Sequence, residues 1–253
     1  MAPHVPSFVW PIVFGADLIL IASLVLAVRR HGGAHARGLA IGAGAVLTGW
    51  FALMTALSAD GVFVATAGRP PTIGLGVFPP ILIGGLALAL SRRVRAAALA
   101  IPQPWLVAIQ SLRVLGVVFL VLLGRGVLPG QFALPAGWGD FAVGAAAPAV
   151  AFALATGRPW APRIALAWNL LGILDLAVAV GIGALSTESS IRLFSSAPST
   201  GAMAELPLSM IPVFGVPIFV LLHIASLVGL RSSSARRGAA PSPYGARAQL
   251  GSR

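Results

Sequence analysis

Lysine and cysteine are both missing from this chain, and acidic residues are few. All 17 basic residues are arginine, against six Asp and Glu. Without a lysine amine, the chain cannot form the Schiff base that binds retinal or pyridoxal phosphate. Without cysteine, it has no disulfide, thiolate nucleophile, iron–sulfur ligand or Cys-ligated zinc. These absences exclude a microbial rhodopsin and enzymes that depend on thiols, and we expect no cofactor and no metal.

Charge of either sign is scarce. The 253 residues are 58% hydrophobic and only 9% charged, whereas soluble domains carry about 25% charged residues. Such a chain cannot cover itself with polar surface in water, so we predict that lipid surrounds most of it. The abundance of Ala, Gly and Arg is typical of a GC-rich bacterial genome, which favours a multi-pass protein of a bacterial cytoplasmic (inner) membrane.

Long apolar runs then define the predicted fold. A membrane-spanning helix needs about 20 mostly apolar residues. The fifth candidate is the weakest because it begins with Trp138, Gly139 and Asp140, and the third contains two adjacent prolines that predict a kink. We therefore predict an all-α transmembrane bundle over 1–230 with seven spans: 9–28, 39–57, 73–90, 105–123, 138–156, 164–185 and 206–230.

The two ends of the chain carry different signals. No basic residue precedes the first apolar run, which ends at Arg29 and Arg30. A cleavable signal peptide has the opposite charge order, so we expect the first span to be retained. Residues 231–253 are rich in Ser, Gly, Ala, Pro and Arg, which predicts a disordered basic cytoplasmic tail.

The arginines are distributed unevenly between the loops on the two sides. Thirteen fall on the side that carries the tail and three on the other, while the loop acids are confined to the second side. The positive-inside rule then places the N-terminus outside and the C-terminus in the cytoplasm. Because this rule already explains the basic loops, we expect no nucleic-acid partner, and the partners to be the bilayer and anionic headgroups on its cytoplasmic side.

A small group of polar residues lies inside the predicted spans. Ionisable side chains at membrane depth are costly and by default mark a functional site or a structural pair. At about 1.5 Å per residue, the four ionisable members of the group fall in one band near the middle of the bilayer. We predict an intramembrane polar cluster made of Asp17, Gln110, Arg113, Asn169, Asp175 and His223.

An ion pair is the simplest account of this cluster, because a carboxylate neutralises a buried guanidinium. Asp175 is the preferred partner of Arg113, and Asp17 is the second choice. Such a pair either fixes helix register or lies on a solute or proton pathway. Prolines and a glycine in the seventh span predict either an ordinary kinked packing helix or a broken helix of the kind found at transporter binding sites.

One short motif points to a different chemistry. Gly137, Trp138, Gly139 and Asp140 resemble the GxGD motif of intramembrane aspartyl proteases such as presenilins and prepilin peptidases, which pair that Asp with a second carboxylate. The resemblance covers four residues, and the predicted topology puts Asp140 at the outer edge of the membrane. There it is an ordinary helix-start residue facing the helix dipole. We therefore predict no catalytic residue and keep Asp140 as an outer-edge candidate.

The second half of the chain has a wider resemblance. From Trp105 to Leu230, the order of polar and proline positions is similar to that of a family of uncharacterised bacterial multi-span membrane proteins with no known activity. This resemblance implies a membrane location and supplies no reaction. The sequence therefore favours small-solute, ion or proton handling through the polar cluster. A non-catalytic membrane scaffold and a protease-like hydrolase using Asp140 are the alternatives.

Overall fold

The computed structural model describes residues 4–195 and 197–238, without the side chains of residues 34 and 233–238. Within these residues helices are the only regular secondary structure and no strand is present, which confirms the all-α prediction. Nine α-helices follow one another: α1 (Val9–His31), α2 (Ala36–Ala59), α3 (Gly74–Leu90), α4 (Arg92–Ala100), α5 (Gln103–Ile109), α6 (Val117–Gly124), α7 (Gly130–Ala155), α8 (Ala161–Leu185) and α9 (Val216–Gly238).

Six helical segments of the described chain are long and apolar enough to cross a membrane. A seventh is added if α3 and α4 count as one broken span, in agreement with the predicted bundle. These two helices meet at an angle of 95°. The bend falls at Ser91, which has an extended backbone and whose side chain caps α4 by accepting a hydrogen bond from the Val94 amide (3.3 Å).

Three basic residues that were expected in a loop, Arg92, Arg93 and Arg95, thus lie in the first turn of a short helix. Its Arg95 stays close to the end of α3, where its Nε donates to the carbonyl of Leu88 (3.0 Å).

Two spans depart from α-helical geometry, one near its centre and the other at its start. Between α5 and α6, residues Gln110–Gly116 form a 3₁₀ helix, so that Gln103–Gly124 is one continuous but non-uniform span. Before α9, residues Ile211–Gly215 form a π-helical turn. This turn contains Pro212, whose ring removes a backbone donor, and it leads directly into α9, so that Ile211–Ser232 is one continuous candidate span.

The fifth span differs from its predicted position. It was expected to start at residue 138, but α7 begins at Gly130, directly after Pro129, and runs without interruption to Ala155. A proline just before the first helical residues is a common start signal. Asp140 consequently lies near the middle of this helix.

The bundle is organised around α7, which packs along both the 3₁₀ segment and α8. Close approach requires small residues at this contact. A Cβ on Gly144 would come within 2.9 Å of the Arg113 backbone carbonyl carbon, so only glycine allows the two backbones to lie so near each other. The outer surfaces carry exposed apolar side chains, for example Leu82, Leu86 and Leu90 on α3, as a lipid-facing surface requires.

The predicted tail begins within α9. That helix continues through residue 231 to Gly238, whereas the remaining part of the predicted tail, residues 239–253, lies outside the described residues.

Candidate functional site

Arg113 occupies the interior of the bundle, and its side chain has no solvent exposure. Its Nε donates to Asp140 Oδ1 on α7 at 2.7 Å, and its Nη2 donates to Asp175 Oδ2 on α8. The guanidinium therefore bridges two carboxylates from two different helices. We call these three residues the ion-pair centre.

The 3₁₀ geometry helps to place the arginine. In a 3₁₀ helix, residues three apart lie directly above one another, which aligns Gln110, Arg113 and Gly116. A Cβ on Gly116 would collide with the side chain of Asp140, so this glycine makes room for the carboxylate that Arg113 binds. One face of the 3₁₀ segment thus carries both Arg113, which donates the hydrogen bond, and Gly116, which leaves room for the accepting carboxylate of Asp140.

Two further glycines have the same effect from α7 and α8. A Cβ on Gly139 would overlap the carboxylate of Asp175, and one on Gly172 would overlap the imidazole of His223. The carbonyl of Gly172 also accepts a hydrogen bond from Arg113 Nη1 at 3.3 Å. The ion-pair centre therefore fits into the bundle only because its immediate neighbours lack side chains.

His223 on α9 contacts the opposite side of the guanidinium. Its Nε2 lies 3.1 Å from Arg113 Nη1, and its Nδ1 lies 2.9 Å from Asn169 Oδ1. An arginine can only donate, so Nε2 must be the acceptor and Nδ1 must carry the hydrogen. The imidazole is therefore neutral in this arrangement, and its ring packs 5.0 Å from that of Trp168.

The hydrogen bonds continue from His223 towards the start of α5. Asn169 Nδ2 donates to Ser226 Oγ (3.0 Å), whose hydroxyl donates to Gln103 Oε1 (2.7 Å). Every donor points away from Arg113. We call His223, Asn169, Ser226 and Gln103 the polar chain.

Two cavities adjoin the ion-pair centre. The smaller one has a volume of about 70 Å³, and Asp17, Arg113 and Asp140 are among its lining residues. The larger one has a volume of about 270 Å³ and is lined mainly by apolar side chains, with Asp140 as the charged residue. Asp140 is therefore shared by both cavities, and so are Phe119, Leu176, Ile211 and Val216.

Asp17 is the one carboxylate of the small cavity that is not paired with Arg113. It is only 5% exposed, and its Oδ2 has no hydrogen-bond partner among the described residues. From the sequence, Asp17 was the second-choice partner of the arginine. Asp140 holds that position instead.

The structure brings together four of the six predicted cluster residues: Arg113, Asn169, Asp175 and His223. The two others, Gln110 and Asp17, lie beside this network and make no hydrogen bond to it among the described residues. Gln110 is buried, and its Nε2 donates to the carbonyl of Phe219 (3.1 Å), while Asp17 reaches the small cavity.

The interpretation of Asp140 as a helix-start residue at the outer edge is wrong. It rested on a fifth span beginning at residue 138, and α7 begins at Gly130. Four other residues of the site were missed, namely Gln103, Ser226 and the two glycines Gly139 and Gly172. Ser226 could have been found, because it lies three residues after His223 and so shares its helix face.

No group of three or more His, Asp or Glu side chains suited to a metal ion is found within the described part of the chain. The charged groups that do meet form a guanidinium–dicarboxylate centre.

The fold and this centre define a polytopic helical protein of the membrane, built around a fully buried arginine that two aspartates share. Residues 70–231 match the Domain of unknown function (DUF8737), and the chain belongs to this family. The matched region contains the ion-pair centre and the polar chain but not Asp17. The chain has no significant match among curated proteins or solved structures.

Proposed function

We propose that this protein moves protons within the membrane, and that Asp17 and Asp140 exchange a proton through the small cavity beside Arg113. One observation carries the proposal: Asp17 is buried, has no cation partner among the described residues, and lines the same cavity as the ion-paired Asp140. An unpaired carboxylate is costly at this depth, whereas its protonated form is neutral.

The volume of the small cavity supports this step. One water molecule needs about 10–15 Å³ of such a volume, and the cavity offers about 70 Å³. Transfer leaves the Asp17 carboxyl as a carboxylate and the Asp140 carboxylate as a neutral acid. Arg113 then retains Asp175 as its charged partner, so the guanidinium is never left without a counter-ion.

The arrangement does not favour an aspartyl protease. In such an enzyme two carboxylates share a proton and activate water. Here Arg113 stands between Asp140 and Asp175 and donates to an oxygen of each. A cation in that position stabilises two separate carboxylates and opposes a shared proton. A scaffold is the remaining alternative, and it needs no proton movement.

Proton flux through the protein should depend on both carboxylates of the small cavity. The full chain is reconstituted into vesicles that contain a pH-sensitive dye, and a potassium gradient with valinomycin drives proton entry. Asp17→Asn and Asp140→Asn should each lower the rate of internal acidification at least tenfold, because an amide cannot accept the proton.

Asp60→Asn is the matched control, since Asp60 is exposed and lies outside both cavities, and its flux should equal that of the unmodified protein. A folded Asp17→Asn variant with undiminished flux would contradict the proposal. If unmodified protein conducts no faster than empty vesicles, the scaffold is the better account.

We also propose the orientation and location that the arginine distribution indicates: a bacterial cytoplasmic membrane, with the N-terminus outside and α4 near anionic headgroups on the cytoplasmic side. Arg92, Arg93 and Arg95 all lie on this short helix, so its position relative to the bilayer tests the orientation directly.

Because the chain has no cysteine, single introduced cysteines report the orientation without background. Ala67→Cys should react with a membrane-impermeant maleimide on intact bacterial cells, and Ala96→Cys on α4 should react only after the cells are permeabilised. Both positions are exposed on the protein surface, so a difference in labelling would reflect the side of the membrane and not burial in the protein. The reverse pattern would overturn the proposed orientation.

A further inference from the structure

The larger cavity has a composition that differs from that of the small one. It lies between the α2–α3 connection, α3, α7, α8 and the segment that precedes α9. Phenylalanine side chains form much of its wall, including Phe63, Phe78, Phe119 and Phe132. Its volume of about 270 Å³ is close to the ~300 Å³ at which small-molecule pockets begin.

Charge is present at one place in this apolar wall. Asp140 is the only charged residue in the lining. Its Oδ1 accepts from Arg113, but its Oδ2 takes no hydrogen bond from any described residue. The side chain keeps 13% exposure, whereas that of Arg113 has none. Asp140 therefore contributes a carboxylate with one oxygen bonded to Arg113 to the lining of this cavity, whereas Arg113 itself does not line it.

The net charge of the ion-pair centre also favours a positively charged ligand. A single guanidinium serves two carboxylates, so the centre carries one negative charge more than it neutralises when both are ionised. An occupant that brought one positive charge to Asp140 would balance this excess. Aromatic faces along the wall would add to the attraction of a cation.

We propose that the larger cavity binds a small organic cation, namely an ammonium group on an apolar body, with the ammonium on Asp140 and the body among the phenylalanines. This inference rests on the proposed function, because the carboxylate that receives the proton is the one that binds the cation. A proton that reaches Asp140 would neutralise the carboxylate and release the cation. The proton and the cation would therefore compete for the same carboxylate.

The probe is 2-phenylethylammonium, and 2-phenylethanol of the same size and shape is its neutral match. Binding to the purified full chain is measured by isothermal titration calorimetry near pH 7. The ammonium should bind at least tenfold more tightly than the alcohol, because only the ammonium carries a positive charge that balances the second carboxylate of the ion-pair centre. Phenylacetate, the anionic counterpart, should not bind.

Three variants test separately the Asp140 carboxylate and the apolar space of the cavity. Asp140→Asn should remove the preference for the ammonium and leave the weak binding of the alcohol. Gly181→Leu should weaken both probes, since Gly181 lines the cavity and a Cβ there meets nothing within 4 Å, so the new side chain fills space without displacing a neighbour. Gly49→Leu on α2, equally unobstructed but exposed, should change neither.

Asp17→Asn separates this inference from the proposed function. Asp17 does not line the larger cavity, so this variant should lose proton flux and still bind 2-phenylethylammonium. Equal binding of the ammonium and the alcohol to unmodified protein, or no binding of either at millimolar concentration, would overturn the cation site. The flux result would stand unaffected.

Discussion

Arg113→Met should lower the free energy of unfolding of the solubilised protein by about 3–5 kcal/mol, the usual cost of removing one partner from a buried ion pair. The loss is large because the arginine side chain is fully buried and serves two carboxylates at once. Methionine keeps much of the volume, so a cavity does not explain the effect. Denaturant titration in detergent, with the helical signal as readout, measures it.

A triple variant provides the control for this prediction. Arg113→Met combined with Asp140→Asn and Asp175→Asn removes all three charges together, and neutral replacement of a buried ion pair is often without net cost. We expect it to recover most of the stability lost in Arg113→Met alone. If the triple variant is less stable than the single one, the loss comes from packing and the carboxylates are not the reason.

Gly139→Ala should destabilise the protein by about 1–3 kcal/mol, the usual cost of forcing extra volume into a packed interior. The added methyl would overlap the Asp175 carboxylate and push it away from Arg113. Gly172→Ala should have a similar effect, since its methyl would overlap the imidazole of His223. Thermal unfolding in detergent, followed by tryptophan fluorescence, reports both.

The sign of these effects is the informative part. In a helix, alanine is normally more stable than glycine by roughly 0.5–1 kcal/mol. Gly181→Ala lies on the same helix as Gly172 and meets nothing within 4 Å, so it should raise the melting temperature. Stabilisation by all three substitutions would show that neither glycine makes room for the ion-pair centre.

Much of the fold could be predicted from the sequence because membrane helices have a strong compositional signal. The predicted second span, 39–57, lies within Ala36–Ala59, and the third, 73–90, nearly coincides with Gly74–Leu90. Hydropathy did not reveal α4, whose arginines are typical of a loop beside a span end. Its helix depends on a local cap from Ser91, which apolar run length does not detect.

The site was predictable in its residue types but not in its pairing. Depth along each span placed Arg113 and Asp175 at the same level, and the structure pairs them. Asp140 was predicted at the wrong depth because Gly139 and Asp140 were taken as the N-terminal end of the fifth span. The structure shows that this polar stretch is the interior face of a longer helix, whose signal was Pro129.

The 3₁₀ segment could not have been predicted from hydropathy either. The residues from Gln110 to Gly116 form an ordinary apolar stretch interrupted by three polar side chains. The close contact of this segment with α7 selects the tighter helix, and such tertiary selection leaves no mark on a single sequence. Asp17 adds a contribution from α1, outside the segment that matches the family.

The direction of the polar chain has a consequence for the surrounding bilayer. The negative ends of its dipoles all face Arg113, so the guanidinium is solvated by carboxylates on one side and by aligned amide, imidazole and hydroxyl groups on the other. An arginine in hydrocarbon otherwise draws water and headgroups inward and thins the membrane around it. Here the protein itself replaces that hydration shell, so the lipid beside the central span can keep its full thickness.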